Sequence, residues 1–379
     1  MRSPPDESTV GPLPPLVVGP RLEAIRTNLV DGDLDVLLLT DPHSIRWATG
    51  FTGSTATVVV TTDRTVLVTD GRYRDRAVDE LALAGADAEV VTVAQPGHLD
   101  AVVDASGAAG RVGASARSLT HERWQAFAAV VPLVAADELV ADLRRVKDAA
   151  EIARIEAACR CADAALAAIA PQLPTGITEH DVRTELEYLM RRHGADGPSY
   201  DTIVAGGPEH AARPHHEATR RTIAEGDTVV IDVGALVDGY HSDMTRSYVV
   251  GDPTDEQRDV YGLVHELQAA GLAAVAAGVA ASEVDRACRR LAIEHGYADW
   301  FLHSTGHGVG LQIHEDPFES PTSAQTLRVG DVVTVEPGLY RVGFGGFRIE
   351  DLVEVTETGC RVLTASPKDT PCPPSPPTT

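Results

Sequence analysis

Short apolar runs alternate with helix-like stretches along the first third of the chain. The β-prone runs are 35–40 (DVLLLT), 56–61 and 65–70. A helical pattern follows from about Arg72 to Leu83. Strands that alternate with helices in this way indicate an α/β unit. We therefore predict an N-terminal α/β domain over residues 21–142, a length typical of a single domain.

Helix caps mark the second part of the chain. An Ala-rich helix is predicted over 143–173, and further helices are predicted to begin after Thr178, at Thr254 and at Ser282. Hairpin-like β segments lie between them, so the second domain, 143–365, is predicted to be α+β with antiparallel strands.

Both ends of the chain are rich in proline. Residues 1–20 and 366–379 carry too few apolar side chains to form a core. They are predicted to be disordered and to lie outside both domains.

Two acidic residues flank a predicted tight hairpin. Thr228–Val250 contains two β-prone runs around Asp238-Gly239, a dipeptide suited to a two-residue turn. In that register Asp232 lies diagonal to the residue opposite Asp243, so both carboxylates share one face of the sheet. Such a pair favours a bound cation, although two isolated aspartates are more often a solvated surface feature.

A second hairpin repeats the arrangement with glutamates. The runs 332–336 (VVTVE) and 348–355 (RIEDLVEV) face each other across the glycine-rich loop 341–347. Glu336 and Glu350 are equidistant from Gly343 and are therefore predicted to be cross-strand neighbours. Because the coincidence occurs twice, a metal site becomes the favoured interpretation.

Histidines spaced by glycines lie between the hairpins. His303, His307 and His314 occur in HSTGHGVGLQIHE, where glycines clear space around His307. A phosphate-binding loop is the alternative interpretation, but the spacing does not match the dinucleotide fingerprint. Four carboxylates and one imidazole can hold two divalent ions side by side. The candidate ligands are Asp232, Asp243, His307, Glu336 and Glu350.

The composition is that of a globular protein without a nucleic-acid signature. The 379 residues are 43% hydrophobic and 23% charged, which suffices for two packed domains. Lysine and arginine total 32 against 56 acidic residues, a formal charge of −24, and no basic stripe stands out. Nucleic acid and anionic membrane surfaces are therefore not expected partners.

The N-terminus and the cysteines favour a cytoplasmic protein. Prolines and acidic residues interrupt residues 1–20, so they lack the apolar core of a signal peptide. No later apolar run reaches the roughly 18 residues of a spanning helix. The five cysteines are odd in number and lack metal-knuckle spacing, which predicts reduced thiols.

Four motifs, in order along the chain, are similar to those of one enzyme family. IDVGALVDGYHSDMTRS, STGHGVGLQIHE, TVEPGLY and RIED resemble the motifs of the M24 metallopeptidases with the pita-bread fold, specifically the Xaa-Pro branch of aminopeptidase P and prolidase. DPHSIRWATGFTGSTATVVVTTDRTVLVTDGRYRDRA resembles the creatinase-type domain of that branch. The resemblance covers about residues 21–365. It implies an α+β chain in which a creatinase-like α/β domain precedes a pita-bread catalytic domain.

The resemblance implies a role for each candidate ligand. Asp232 would be the terminal ligand of one ion, His307 and Glu336 would bind the other, and Asp243 and Glu350 would bridge. Oxygen-rich ligation with one imidazole suits two Mn²⁺ ions, with Fe²⁺, Co²⁺ or Zn²⁺ as substitutes.

The resemblance also implies a reaction. A metal-bridging hydroxide would attack the carbonyl before proline at the N-terminus of a peptide, and Glu336 would carry the proton to the leaving nitrogen. His215 and His314 would polarise the carbonyl, with the adjacent His216 as the alternative to His215. Arg348 and Tyr200 would orient ligands and the metal-bound oxygen, with Tyr200 also near the substrate, and His303 would contact the substrate near proline.

Substrate length and alternative functions remain open at this point. The family's dipeptidases often place an arginine after the second catalytic histidine, and Glu315–Leu327 contains none. This favours aminopeptidase P over prolidase. The implied partners are a peptide with proline at its second position and a second copy of the chain. The alternatives are an M24-fold hydrolase or lyase acting on a non-peptide molecule, like creatinase, ectoine hydrolase or sulfoniopropionate lyase, and a non-catalytic binding module.

Overall fold

The structure, a computed structural model, describes residues 9–107 and 110–374. The chain divides into two compact units. The N-terminal unit is Pro14–Arg144, and the C-terminal unit contains the described residues 9–13 and 145–374. The observed division lies close to the predicted boundary at residue 142. Residues 1–8 and 375–379 of the segments predicted to be disordered lie outside the described residues. For 9–20 the prediction is wrong, because the Thr9 amide donates to the His193 carbonyl over 2.9 Å, Val18 is buried and a helix begins at Gly19.

The N-terminal unit is an α/β domain, as predicted. Its helices are α1 (Gly19–Asp31), α2 (Pro42–Thr49), α3 (Arg74–Ala84), α4 (His98–Ser106), α5 (His121–Ala128) and α6 (Glu138–Arg145), the last of which ends at the division. Its strands are β1 (Val36–Leu39), β2 (Ala56–Thr61), β3 (Thr65–Thr69), β4 (Glu89–Thr92), β5 (Val112–Ala114) and β6 (Leu133–Ala135).

These strands form one sheet in the order β4-β3-β2-β1-β5-β6. β5 pairs in parallel with β1 and β6, whereas β2 runs antiparallel to both of its neighbours. The chain therefore moves from β1 towards β4 on one side and returns to β5 and β6 on the other. The strand order reverses between β1 and β5. Buried apolar side chains such as Val59 and Phe127 pack around this sheet.

The C-terminal unit is α+β. Its helices are α7 (Ala149–Ile169), α8 (Glu179–Arg192), α9 (Gly207–His210), α10 (Asp255–Ala274) and α11 (Ala281–Glu294). Its strands are β7 (Gly197–Pro198), β8 (Ile203–Gly206), β9 (Thr228–Asp232), β10 (Ala235–Val237), β11 (Tyr240–His241), β12 (Thr245–Val249), β13 (Gly306–Gly308), β14 (Glu315–Glu319), β15 (Val332–Val335), β16 (Gly338–Arg341), β17 (Gly345–Arg348), β18 (Asp351–Val355) and β19 (Cys360–Val362).

Antiparallel sheets form the framework of this unit, as predicted. Two of them, of three and five strands, have the orders β12-β9-β8 and β14-β13-β15-β18-β19, and the pairs within them are antiparallel. Helices α7 and α8 pack on one apolar core and α10 on another. Capping boxes begin α7 at Asp148 and α10 at Thr254, so side chains satisfy the first free N–H groups of both helices.

The first predicted hairpin has the expected register. Val237 pairs with Tyr240 across Asp238-Gly239, and both turn residues have positive φ, 46° and 74°. A two-residue type I′ turn requires this backbone. Farther along the same hairpin Thr245 pairs with Asp232, so the diagonal relation between Asp232 and Asp243 is confirmed.

The second hairpin also has the predicted register, but its loop is shorter than predicted. Val335 pairs with Asp351 and Gly338 with Arg348, which places Glu336 opposite Glu350. The pairing continues to the ends of β16 and β17, so the turn is only 342–344. The glycines of the predicted loop 341–347 therefore partly belong to strand β17.

The predicted helix 143–173 is wrong as a continuous element. Helix α6 ends at Arg145, and a separate helix, α7, begins after its N-cap residue Asp148. Asp148 and Glu151 have the spacing of a capping box, a signal that the Ala-rich pattern concealed. At the other end α7 gives way to a 3₁₀ segment, Ala170–Thr175, which contains Pro174.

The predicted disorder of the C-terminal segment is also wrong for its described part. The Ser366 carbonyl accepts a hydrogen bond from Arg246, and the Pro371 carbonyl accepts one from the Val249 amide. Lys368 donates to Gln268 over 2.8 Å and also pairs with Asp351. A segment with few apolar side chains is thus held through its backbone carbonyls and one lysine, which composition does not reveal.

No helix in the described residues is both long and apolar enough to cross a membrane. All five cysteines are free thiols, in agreement with the sequence prediction.

Candidate metal centre

The two hairpins and strand β13 bring the five candidate ligands together. Asp232 is the last residue of β9, Glu336 directly follows β15, and Glu350 directly precedes β18. The nitrogen Nε2 of His307, in β13, lies 3.5 Å from a carboxylate oxygen of Asp243 and 3.6 Å from one of Glu336. Ligand atoms of Asp243, His307 and Glu350 all lie within 4.8 Å of one another.

The His307 ring faces these carboxylates with its unprotonated nitrogen. Its Nδ1 is 3.1 Å from the Gly308 carbonyl, which can only accept, so Nδ1 carries the proton. Burial, followed by the proximity of His314, lowers the pKa of His307 to about 4. The ring is therefore neutral, and its Nε2 lone pair points towards the carboxyl oxygens of Asp243 and Glu336. A cation between these groups could be bound by all three of them.

The carboxylates repel one another in a buried setting. Burial raises the pKa of Asp243, Glu336 and Glu350 well above the usual range, and the neighbouring carboxylates raise it further. Four acidic side chains here face a single guanidinium, that of Arg348. Oxygen-rich donors with one imidazole are the ligands of Mn²⁺ and similar ions. The donor set therefore fits a pair of divalent cations.

The guanidinium of Arg348 donates hydrogen bonds to four different residues. It donates to Asp232 over 2.6 Å, to the Thr245 hydroxyl over 2.9 Å, and to the Pro214 carbonyl and the Tyr340 hydroxyl over 2.9 Å each. These contacts hold the Asp232 carboxylate in place and also anchor the loop that contains Pro214. Arg348 is thus placed to orient one candidate ligand.

A cavity of about 470 Å³ opens beside the ligands. Its wall includes predicted site residues together with apolar groups: Ile203, Pro214, His215, Asp232, His303, Ser304, His307, His314, Phe318, Glu336 and Arg348. The His314 ring lies edge-on to His307, with ring centroids 4.3 Å apart. Burial, together with Arg348, lowers the pKa of His303 to about 4, and its ring contacts Tyr340.

The structure separates His215 from His216. His215 is exposed and lines the cavity, whereas His216 is buried and lies 3.3 Å from Glu179. The two residues belong to a loop. Of the two alternatives, His215 is the one that can meet a molecule in the cavity.

Glu179 fastens both ends of the loop that carries His215. Its fully buried carboxylate accepts hydrogen bonds from the Gly206 amide over 2.8 Å, and from the Thr219 amide and hydroxyl over 3.0 and 2.7 Å. Burial acts to raise the pKa of Glu179, but these hydrogen bonds outweigh it and hold the pKa below its usual value. Glu179 is therefore a charged hub of hydrogen bonds.

Glu179, His210 and His216 also have the spacing of three metal ligands. The carboxylate already accepts from backbone and hydroxyl donors, and Arg221 adds a positive charge nearby. Since a cation would compete with these donors and be repelled by that arginine, we interpret the cluster as a support for the loop.

Two further side chains contact the candidate ligands, and one of them was not predicted. Tyr200 donates to both Asp232 and Asp243 and does not line the cavity, so its position suits orientation of the ligands. Thr245 donates to Glu350 over 2.7 Å. Its place in the motif DMTRS, two residues after Asp243, was the signal available in the sequence.

Both lysines of the chain form ion pairs with acidic residues next to candidate site residues. Lys147 pairs with Glu315 over 2.6 Å, and Glu315 directly follows His314. Lys368 pairs with Asp351, which directly follows Glu350 and also binds Arg246 over 2.8 Å. Each lysine thus holds the neighbour of a candidate site residue.

Glu319 is a buried acid without a hydrogen-bond partner in the described structure. It is 0% exposed, and neither carboxylate oxygen is bonded to a described residue. Burial, followed by repulsion from Glu336, raises its pKa well above the usual range. The folded chain therefore keeps this group protonated, whereas the unfolded chain ionises it above a pKa of about 4.3.

We expect Glu319→Met to stabilise the fold at pH 8 by about 1–3 kcal/mol, the cost of a buried unpaired polar group. Because the folded pKa is raised, the wild-type chain loses stability as pH rises above the unfolded pKa. The gain should therefore be smaller at pH 5 than at pH 8. Denaturant unfolding at both values tests this, and a variant less stable than wild type at pH 8 would contradict it.

Similarity to known proteins covers both units. Residues 153–357 match the family model of "Metallopeptidase family M24", and residues 21–146 match that of the "Creatinase/Prolidase N-terminal domain". The chain is 38% identical to the "Uncharacterized peptidase YqhT" of Bacillus subtilis over 356 residues, which is 92% of this chain and 99% of the relative. It is 44% identical to an "Xaa-Pro dipeptidase" of Pyrococcus furiosus over 62% of this chain and 67% of the relative.

Solved structures show the same architecture. An Xaa-Pro dipeptidase from Bacillus anthracis superimposes with a TM-score of 0.87 at 37% identity, covering 92% of this chain and 98% of that one. An X-Pro aminopeptidase from Thermotoga maritima superimposes with a TM-score of 0.82 at 33% identity, covering 89% and 97%.

Proposed function

Because this chain belongs to metallopeptidase family M24, we propose that it hydrolyses the Xaa-Pro bond at the N-terminus of peptides with two divalent metal ions. The observation that carries the proposal is the His307 lone pair directed at buried carboxylates beside an open cavity. The similar proteins named as Xaa-Pro dipeptidases and an X-Pro aminopeptidase support the substrate class.

The proposed ligand roles follow the contacts. Asp243 and Glu350 would be shared by the two ions, His307 and Glu336 would complete one site, and Asp232 would complete the other. The close grouping of Asp243, His307 and Glu350 within 4.8 Å supports this arrangement. When bound, the ions would polarise the substrate carbonyl and activate water, with Mn²⁺ the favoured ion.

The chain's own residues would position the substrate and move the proton. Glu336 would accept a proton from the attacking water and deliver it to the leaving proline nitrogen. His215 and His314, both in the cavity wall, would donate hydrogen bonds to the carbonyl oxygen as negative charge develops on it. His303 would contact the substrate near proline.

Replacing His215 and His216 in turn tests this assignment. We expect His215→Ala to lower kcat by roughly 10²-fold, the usual cost of removing one donor to a developing oxyanion. His216→Ala should act mainly on stability, because His216 contacts Glu179 and not the cavity. Steady-state kinetics and thermal unfolding of both variants measure the two effects. The opposite pattern, with kcat lost only in His216→Ala, would reverse the assignment.

The charges of the cavity wall support a proposal on substrate length. Arg348 is the only arginine or lysine among the lining residues, and its donors are committed to Asp232, Thr245, Pro214 and Tyr340. No guanidinium in this wall is left for the free carboxylate of a dipeptide. We therefore propose that the enzyme prefers peptides that continue beyond proline, in the manner of aminopeptidase P.

A peptide panel tests both the activity and the preference. With added Mn²⁺, we expect Ala-Pro-Ala and longer Xaa-Pro peptides to exceed Ala-Pro in kcat/KM by roughly tenfold or more, the value of one charged hydrogen bond. Mass spectrometry of the released residue gives the cleavage site, and Ala-Ala-Ala is the matched control. Faster cleavage of Ala-Pro would make the enzyme a dipeptidase. No cleavage of any Xaa-Pro peptide would favour the non-peptide alternative.

A further inference from the structure

A second cavity lies wholly within the N-terminal unit. Its volume is about 470 Å³, which is typical of small-ligand sites. None of its lining residues belongs to the candidate metal centre, whose ligands are all in the C-terminal unit. It is therefore a separate candidate site.

The position of this cavity in the sheet is that of a ligand site. Thr40 and Pro42, which follow β1, form part of its wall, as do the first turns of α4 and α5. The strand order of the sheet reverses between β1 and β5. In open α/β sheets, ligands bind outside the carboxyl ends of strands at such a reversal.

An arginine without a carboxylate partner in the described structure lines the cavity. The only side-chain hydrogen bond of Arg123 is a long one, 3.4 Å, from Nη2 to the Thr57 hydroxyl, and its guanidinium lies 6.0 Å from the Phe127 ring centroid. Arg123 is an exposed residue, so its guanidinium is open to a molecule in the cavity. In a chain with 56 acidic and 32 basic residues, a guanidinium that is unpaired with any carboxylate of the described residues suits an anionic ligand.

A helix start adds positive potential to the same cavity. His98 is the first residue of α4 and lies 3.0 Å from the Thr57 hydroxyl that Arg123 also contacts. The N-cap of α4 is Gly97, which has no side chain to accept from the first N–H groups. The positive end of this helix and the guanidinium of Arg123 therefore act on the same space.

The remaining wall restricts the class of anion. Ile45, Leu99 and Phe127 give it apolar surface, which suits the body of an organic molecule. Glu122 also lines the cavity, so a second negative charge on the ligand would be repelled. Phosphate esters and dicarboxylates fit less well than a molecule with one carboxylate.

We propose that this cavity binds a small organic monocarboxylate, with its carboxylate on Arg123 and the start of α4 and its apolar body against Ile45, Leu99 and Phe127. The site is independent of the peptidase activity proposed above.

Photolabelling of the full chain with 4-azidobenzoate tests the proposal. We expect mass spectrometry to find the label in peptides from 40–56 or 98–127, and benzoate to compete whereas the uncharged benzamide does not. A carboxylate that instead binds the metal centre would label the region around His215 or His307, so the two sites are distinguishable by position.

Two arginine variants make the test specific. Arg123→Gln should lower labelling of the N-terminal unit roughly tenfold or more, and Arg123→Lys should restore part of it. The matched control is Arg117→Gln, since Arg117 forms a surface pair with Glu138 and does not line the cavity. Both glutamine variants should keep wild-type peptide hydrolysis and unfolding temperature. Absence of label in this unit, equal competition by benzamide, or undiminished labelling of a folded Arg123→Gln chain would overturn the proposal.

Discussion

Glu350→Gln should abolish turnover while stabilising the metal-free protein. Glu350 is 1% exposed and is proposed to bind both ions. Mutating a residue that only hydrogen-bonds a metal ligand lowers metal affinity or activity by about 10–100-fold. Loss of a ligand shared by both ions should therefore lower kcat/KM by roughly 10³-fold or more. Without metal, the same change removes a buried acid whose pKa is raised by burial and by the neighbouring carboxylates, so the unfolding temperature of the apoprotein at pH 8 should rise.

Glu354→Gln is the matched control for this variant. Glu354 lies in the same strand, β18, but forms a surface pair with Arg361 over 2.6 Å. It should keep wild-type activity and metal content. Kinetics, metal analysis and unfolding of the chelated proteins are measured together. A Glu350→Gln enzyme with full activity and two bound ions would refute the ligand assignment.

Removing the metal should make stability fall as pH rises. Burial and mutual repulsion raise the pKa of Asp243, Glu336 and Glu350 in the metal-free fold. The unfolded chain ionises these groups above a pKa of about 4, so above that pH the folded state binds more protons than the unfolded state. Each such proton costs about 1.4 kcal/mol of folding free energy per pH unit, up to the folded pKa.

Bound metal should remove this dependence of folding stability on pH. Metal ligands bind as carboxylates, so the loaded protein has already released these protons. Metal at 100 times its dissociation constant also adds about 2.7 kcal/mol. Thermal unfolding between pH 5 and 8, with EDTA or with Mn²⁺, measures both effects. Parallel curves for the two preparations would show that the carboxylates are not the metal ligands.

The sequence predicted the register of the centre because short turns determine it. Once Asp238-Gly239 is placed in a two-residue turn, the relation of Asp232 to Asp243 is a matter of counting. The symmetry of Glu336 and Glu350 about Gly343 has the same origin. Local geometry was therefore accessible from the order of residues alone.

Contacts between distant residues were not accessible in this way. Glu179 binds Gly206 and Thr219, which lie 27 and 40 residues further along the chain, and no local pattern joins them. Whether His215 or His216 faced the cavity depended on this contact. The order of the C-terminal segment was not predicted for a related reason. Its backbone carbonyls accept hydrogen bonds from Arg246 and Val249, and every residue type has such a carbonyl, so composition does not reveal these contacts.

The two lysines make the chain unusually resistant to lysine-directed reagents in its folded state. The side chain of Lys147 is 1% exposed and that of Lys368 is 22% exposed, and both ammonium groups are paired with carboxylates. An endoprotease specific for lysine must therefore wait for local opening before it cuts. Cleavage after Lys368 would report release of the C-terminal segment from Asp351, and cleavage after Lys147 would report loosening behind Glu315. The peptide bonds after these two lysines, the only lysines among 379 residues, thus report separately on the ion pairs with Glu315 and Asp351.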